Sequence, residues 1–216
     1  MPSRNQTVIR RDINRLKEAL SRHSESNPAL GVLLPMVETA AGKVNTTWQQ
    51  YQAAAVTGNK ERDERDAAID KIMRWIQQWR PITLLIVPGA SENIRQLPCS
   101  GSTPDRAIQV AEDLAAFINT NETAASFREQ AQTELGTLLE DAKKENQEAV
   151  AALPAESSAR QAYSEACIEA NTVLIRGLEV IRSIFGRTSP EYKQFIARRS
   201  TAEEDEIDAE TNAGEE

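Results

Sequence analysis

An apolar stripe with helical spacing runs from residue 37 to residue 79. Apolar residues recur every three or four positions, and the register survives the charged run 60–66. This spacing places side chains on one face of an α-helix, whereas a half-buried strand would alternate apolar and polar residues. Two further stripes of the same kind cover residues 107–152 and 159–184. The chain is therefore predicted to be all-α.

Composition agrees with this fold class. Aromatic residues make up 5% of the 216 residues, and alanine is abundant. Helices rich in small side chains can pack closely, which favours a helical bundle over a β-sandwich or barrel. We predict a single helical-bundle domain over residues 1–200, built from four to six helices. The acidic segment 201–216 is predicted to be a disordered tail.

Helix boundaries follow from proline, glycine and capping residues. The first helix is predicted from about Ser3 to about Ser26, and the segment Asn27-Pro28 breaks the pattern. Pro35 suits the first turn of the next helix. Thr103-Pro104 predicts another helix start.

Two points in the long helices leave alternatives open. Gly58 and Asn121 are residues that favour breaks, yet the apolar register continues through both. Continuous helices over 36–80 and 104–152 would give an elongated bundle of long, amphipathic, antiparallel helices. Breaks at both points would give a globular bundle of about six shorter helices.

Three prolines are expected to interrupt or delimit helices. Pro81 is predicted to end or bend the second helix, and Leu153-Pro154 to end the third. A last large helix is predicted from about Ala155 to Phe185, with Gly186 as its C-cap and a short helix from Ser189-Pro190.

Charge is distributed unevenly. Residues 201–216 hold eight acidic residues and no Lys or Arg, and without them the acids would number 25, equal to the 25 Lys and Arg. A neutral body does not favour nucleic-acid binding, which needs a basic surface. The first twelve residues are polar and lack a signal-peptide core, so a cytoplasmic location is expected.

The sequence offers little for catalysis. His23 is the one histidine, and Cys99 and Cys167 have no neighbours at metal-binding spacing, so we expect reduced thiols. There is no Glu-x-x-His pair for a di-iron site and no glycine-rich phosphate loop. We predict no enzymatic activity, no metal, no cofactor and no small-molecule ligand.

One corner concentrates large apolar residues. Trp75 and Trp79 lie one turn apart, just before the apolar run 82–87 that contains Leu84 and Leu85. Core packing is the first explanation for these residues, but any part that stays exposed would form a partner-binding or membrane-touching patch. The loop 88–103 is either a binding segment or a plain connection. The tail residues Glu203, Glu204, Asp205 and Glu206 are further candidates for partner binding.

A short C-terminal segment resembles a known group of proteins. Its residues are Arg182, Phe185, Gly186 and the run Ser189-Pro190-Glu191-Tyr192. An Arg, then an aromatic-Gly pair, then Ser-Pro-Glu-Tyr resembles the C-terminal part of uncharacterised, helix-rich bacterial proteins. The resemblance implies a bacterial source and no particular activity.

The sequence alone thus favours a non-enzymatic protein that works through contacts with a protein partner or with itself. The alternative is a membrane-active or toxin-like helical component that lays its amphipathic helices on lipid. Mixed charge over residues 60–80 counts against that alternative, because membrane-binding helices carry mainly Lys and Arg on the polar face.

Overall fold

The computed structural model describes residues 4–25, 27–87, 103–190 and 192–193. These residues form four α-helices: α1 (Arg4–His23), α2 (Pro28–Ile86), α3 (Pro104–Thr120) and α4 (Ala125–Phe185), with a 3-10 turn at Glu122–Ala124 before α4. No strand occurs in this part of the chain. The predicted all-α class with long helices is confirmed.

Helix α2 is a single helix of 59 residues, with Gly58 inside it. It begins earlier than predicted, because the Asn27 side chain accepts a hydrogen bond from the amide of Ala29 at 3.1 Å and Pro28 fills the first helical position. The prediction that Pro35 lies in the first turn was therefore wrong.

Pro81 does not end α2, which continues to Ile86. The last turns are held by side chains that reach the core: Thr83 is fully buried, and its hydroxyl donates to the Trp79 carbonyl at 2.8 Å. The amide of Val87 donates to the Thr83 carbonyl at 3.0 Å. The apolar run after Pro81 is thus the end of the same helix.

The predicted third helix is broken at Asn121. Helix α3 ends at Thr120, and Asn121 is extended with φ −99° and ψ 121°. The Asn121 side chain donates to the Phe117 carbonyl at 2.7 Å. Arg128 of α4 donates to the carbonyls of Ile118 and Asn121 at 3.4 and 2.5 Å. These bonds satisfy carbonyl groups at the end of α3 that have no partner within the helix.

Pro154 was predicted to end a helix, and this was wrong. It lies inside α4, which has 61 residues and ends at Phe185. A proline removes one backbone hydrogen bond, but buried side chains on both sides, Ala149 and Tyr163, keep the helix in place. The predicted separate helix from Ala155 is therefore the second part of α4.

The end of α4 follows the prediction. Gly186 has φ +80°, a conformation that glycine adopts without strain. The Ser189 hydroxyl accepts a hydrogen bond from the amide of Tyr192 at 3.0 Å, which caps the next turn. Three predicted segments lie outside the described residues. They are the remainder of the short helix, the tail 201–216 and most of the loop 88–103.

The chain divides into two compact units. Unit 1 comprises residues 1–51 and 159–216 and contains α1, the start of α2 and the end of α4. Its core includes Ile13, Leu20, Val44, Tyr163 and Ile181, all fully buried.

Unit 2 comprises residues 52–158 and contains the rest of α2, the beginning of α4 and all of α3. Its core is a continuous cluster that includes Ile72, Ile76, Ala111, Leu114 and Ile118. The prediction of one domain over 1–200 covers residues beyond the described ranges and stays a prediction.

Candidate interaction surfaces

The two tryptophans of the predicted corner lie in the core of unit 2. Trp75 and Trp79 are each only 3% exposed. The Trp75 indole donates to the Ala131 carbonyl at 3.1 Å, and the Trp79 indole donates to the Glu134 carboxylate at 2.9 Å. Trp79 also stacks on Phe127, with ring centroids 5.6 Å apart. Core packing therefore accounts for both residues.

The two leucines of the same corner differ. Leu84 is half-buried and packs on the core cluster of unit 2, whereas Leu85 is 87% exposed. Leu85 is thus the exposed member of the predicted surface among the described residues. The predicted tail residues Glu203, Glu204, Asp205 and Glu206 lie outside them.

Unit 1 exposes aliphatic side chains that the sequence analysis did not single out. Ile168 is 65% exposed and Ile175 is 51% exposed, both on α4. Their spacing of seven residues is about two helical turns, so both side chains lie on one face. Cys167, Ala170 and Leu174 face the core instead. Sequence spacing could have found this second stripe, because Ile168 and Ile175 share a heptad position.

Unit 2 carries a second exposed aliphatic pair on α4, Val150 and Leu153. The stripe to which they belong begins with side chains that are buried or half-buried in the core cluster, including Leu135, Leu139 and Ala142. The structure therefore covers one end of this stripe and leaves the other exposed.

Aromatic residues of α2 and α4 form a cluster in unit 1. The Tyr51 and Tyr163 rings are stacked with centroids 6.2 Å apart, and Trp48 lies 5.1 Å from Tyr163. The Arg10 guanidinium of α1 lies 4.8 Å from the centroid of Trp48, within cation–π range. The cluster thus joins all three helices of unit 1.

Burial disfavours ionisation of two groups at this cluster, the hydroxyl of Tyr163 and the thiol of Cys167. The Tyr163 hydroxyl and the Cys167 thiol both approach the Gln6 carbonyl, at 3.4 and 3.9 Å. Burial raises the pKa of Tyr163 above its usual value, and the adjacent Cys167 raises it further. Burial likewise raises the pKa of Cys167, which opposes formation of the reactive thiolate. The pair is suited to packing and poorly suited to nucleophilic chemistry.

Three carboxylates in unit 2 come close together. Oxygens of Glu61, Glu145 and Glu148 lie within 4.8 Å of one another. Two lysines offset their charge: Lys60 lies 3.9 Å from Glu61, and Lys144 lies 3.1 Å from Glu145. Hydrogen bonds and charge from neighbouring glutamates raise the pKa of each lysine, led by Glu64 for Lys60 and Glu145 for Lys144. The group is a network of surface ion pairs.

No protein-family model, curated protein or solved structure matches this chain. None of the described helices contains a stretch that is long and apolar enough to cross a membrane.

Proposed function

We propose that this chain acts by binding another protein and does not itself catalyse a reaction. The observation that carries the proposal is the exposed pair Ile168 and Ile175 on one face of α4. Fully burying an aliphatic side chain contributes about 1.5–3 kcal/mol of favourable free energy. A partner that covers these two half-exposed side chains therefore gains part of its binding free energy from them.

The spacing of this pair suits a helical partner. Two side chains two turns apart form a ridge about 10 Å long, which an amphipathic helix covers with apolar residues at matching spacing. Thr172 lies between the two isoleucines and is also exposed, so no charge interrupts the ridge.

Charges of both signs flank the ridge. Glu165 lies three residues before Ile168 and Glu179 lies four residues after Ile175, whereas Arg176 directly follows Ile175 and Arg182 lies two turns beyond it, all at exposed positions. Unlike charges across an interface are favourable, so the expected partner helix carries both acidic and basic residues beside its apolar ones. The acidic tail remains a candidate for binding a basic partner, and Leu85 is a second exposed contact point.

Affinity capture from a lysate of the source organism tests the proposal. Tagged full-length protein is compared with a double variant, Ile168→Glu and Ile175→Glu, and bound proteins are identified by mass spectrometry. Val32→Glu is the matched control, because Val32 is an exposed aliphatic residue on α2. We expect a partner that binds wild type and the control and is lost from the double variant.

Two further comparisons sharpen the result. A truncated chain, 1–200, shows whether the acidic tail contributes to binding the same partner. Flotation with anionic and neutral liposomes tests the membrane alternative. Recovery of the protein with liposomes, together with no partner that depends on Ile168 and Ile175, would replace the protein-binding proposal with the membrane one.

A further inference from the structure

Among the described residues, the groove between α2 and α4 of unit 1 is open along one side. The ion pair of Lys43 and Glu169 joins the two helices on that side. Met36 lies seven residues before Lys43, and Val180 lies eleven residues after Glu169. These spacings are close to two and three helical turns, so both side chains lie on the side of the ion pair. Met36 is 52% exposed and Val180 is 38% exposed, so the groove presents apolar surface.

Half-buried aliphatic side chains line the floor of this groove. Helices α2 and α4 run antiparallel here, because Trp48, beyond the ion pair on α2, packs on Tyr163, which precedes the ion pair on α4. Leu33 of α2 and Val180 of α4 therefore lie at the same level, ten and eleven residues from the ion pair. Val173 lies two turns before Val180 on the same face. Leu33 and Val173 are both half-buried.

Helix α1 covers the opposite side of α2. The hydrogen bonds between Asn14 and Asn45 place α1 against Asn45. Asn45 lies two residues from Lys43, which is about 200° around the helix. The side of α2 that carries the ion pair is therefore not the side that packs on α1.

Helix α1 also follows α4 to its end. The Gln6 carbonyl accepts a hydrogen bond from the Cys167 thiol at 3.9 Å. Ten residues further along both helices, the Leu16 side chain lies against Gly177. The two helices therefore run parallel, and His23 at the end of α1 lies level with the last turn of α4. One side of α4 is thus occupied as far as the point where the chain leaves the helix.

The chain turns back directly after α4. Gly186 ends the helix with φ +80°, and the Ser189 hydroxyl accepts a hydrogen bond from the amide of Tyr192. The amide of Lys193 donates to the Ser189 carbonyl at 3.1 Å, the spacing of an α-helical bond. A new helical turn therefore begins after a connection of about four residues, and helices joined by so short a connection pack antiparallel.

An apolar face begins in this turn. Tyr192 is half-buried. Phe195 and Ile196, which lie outside the described residues, follow Tyr192 by three and four residues, the spacing that places side chains on one face of a helix. Ten residues of helix span about 15 Å. Running antiparallel to α4, this length extends past Val180, which lies five residues before the end of α4.

We infer that the C-terminal segment 190–200 of this chain binds in the open groove of unit 1, where its apolar face covers Met36 and Val180. Helix α1 already occupies the other side of α4, and the short turn places the segment beside the open one. The segment adds a fourth helix to the three of unit 1. The inference does not depend on the proposed function, because Ile175 lies five residues before Val180, about 140° around α4.

A cross-link in the full chain tests the contact. Val180→Cys is combined with Phe195→Cys in a Cys99→Ser background, in which Cys167 is the one native thiol and is buried. The control pair is Arg182→Cys with Phe195→Cys. Arg182 is exposed, lies closer to Phe195 along the chain, and lies about 200° from Val180 on α4.

Under mild oxidation, the first pair is expected to form an internal disulfide at least about tenfold faster than the control pair, because binding in the groove raises the local concentration of one thiol at the other. Mass spectrometry of peptides identifies the link. A segment without a fixed position would link Arg182→Cys at least as fast, so equal rates for the two pairs overturn the inference. A disulfide between separate molecules, when Val180→Cys protein is mixed with Phe195→Cys protein, assigns the groove to a second copy and also overturns it.

Trypsin digestion is a second measurement that needs no introduced cysteine. The segment contains the trypsin sites Lys193, Arg198 and Arg199. Cleavage there should be at least about tenfold faster in Met36→Glu than in wild type, because proteolysis follows the population of the open state. Val56→Glu, at an exposed position of α2 in unit 2, is the control and should be cleaved like wild type. Circular dichroism checks that all three proteins keep their helical content, and equal cleavage of wild type and Met36→Glu overturns the inference.

Discussion

Asn14 of α1 and Asn45 of α2 exchange two side-chain hydrogen bonds. The Asn14 amide donates to Asn45 at 3.2 Å, and the Asn45 amide donates back to Asn14 at 2.9 Å. Asn14 also donates to the Arg10 carbonyl at 2.8 Å. A reciprocal pair between two otherwise apolar helix faces is satisfied in one register alone, so it fixes how α1 lies along α2.

Removing one partner of this pair should be more harmful than replacing both. Asn45→Ala leaves the half-buried Asn14 amide without its cross-helix partner, and we expect a loss of about 1–2 kcal/mol in the free energy of unfolding. The double change Asn14→Leu with Asn45→Leu should cost less, because two apolar side chains replace two polar ones. Urea unfolding monitored by circular dichroism measures both. A double variant that is less stable than Asn45→Ala would contradict this account.

Gly177 allows α4 to approach α1 closely. A Cβ at this position would lie 3.1 Å from the Leu16 Cδ2 atom. Gly177→Leu should therefore lower the free energy of unfolding by about 1–3 kcal/mol, because it overfills a packed contact. Gly136→Leu is the control, since nothing lies within 4 Å of a Cβ there; it should gain up to about 1 kcal/mol from helix propensity. Equal melting temperatures for Gly177→Leu and wild type would show that the helices do not meet at Gly177.

Trp75 should contribute to folding and not to partner binding. Its side chain is buried and its indole is hydrogen-bonded within unit 2. Trp75→Ala should cost about 3–5 kcal/mol in stability, whereas Leu85→Ala, at an exposed position, should change it by less than about 0.5 kcal/mol. Chemical denaturation of the two variants tests this contrast. A Trp75→Ala protein as stable as wild type would return Trp75 to the candidate surface.

The long apolar stripes made the helical fold predictable, because a 3–4 spacing kept over tens of residues has no other simple structural meaning. Rules that place a helix end at a single residue, such as proline or asparagine, were less reliable than the spacing of the stripes. Pro154 lies inside α4 because packing on both sides outweighs one lost hydrogen bond, while Asn121 does break the chain, with Arg128 capping the end of α3.

The candidate surfaces were harder to predict for a different physical reason. Spacing shows that Trp75, Trp79, Ile168 and Ile175 each lie on an apolar stripe, but it does not show which stripe a neighbouring helix covers. That depends on where other helices begin and end. Val150, for instance, is exposed although it continues the stripe that begins with the buried Leu135.

Arg128 should stabilise the corner between α3 and α4. Its guanidinium donates to the carbonyls of Ile118 and Asn121, and a positive charge near the end of α3 also suits the helix dipole. Arg128→Ala should lower the free energy of unfolding by about 1–2 kcal/mol. Arg106→Ala, an exposed arginine in the first turn of α3, is the control and should cost less than about 0.5 kcal/mol. Similar losses for the two variants would argue against a capping role.

Stability should fall in alkaline solution because of Tyr163. Burial raises the pKa of Tyr163 in the folded state. The stability that its neutral side chain contributes is therefore complete below the pKa of the same tyrosine in the unfolded chain, about 10, and is lost as the pH rises above that value. The side chain introduced by Tyr163→Phe cannot ionise. The free energy of unfolding of this variant should therefore decline less steeply than that of wild type between pH 9 and pH 11, roughly one unit either side of the pKa in the unfolded chain. The comparison is made by urea unfolding at each pH, in the presence of a reducing agent that prevents disulfide formation by Cys167. Parallel curves for the two proteins would show that the Tyr163 hydroxyl can reach water in the folded state, and would contradict its placement in the aromatic cluster of unit 1.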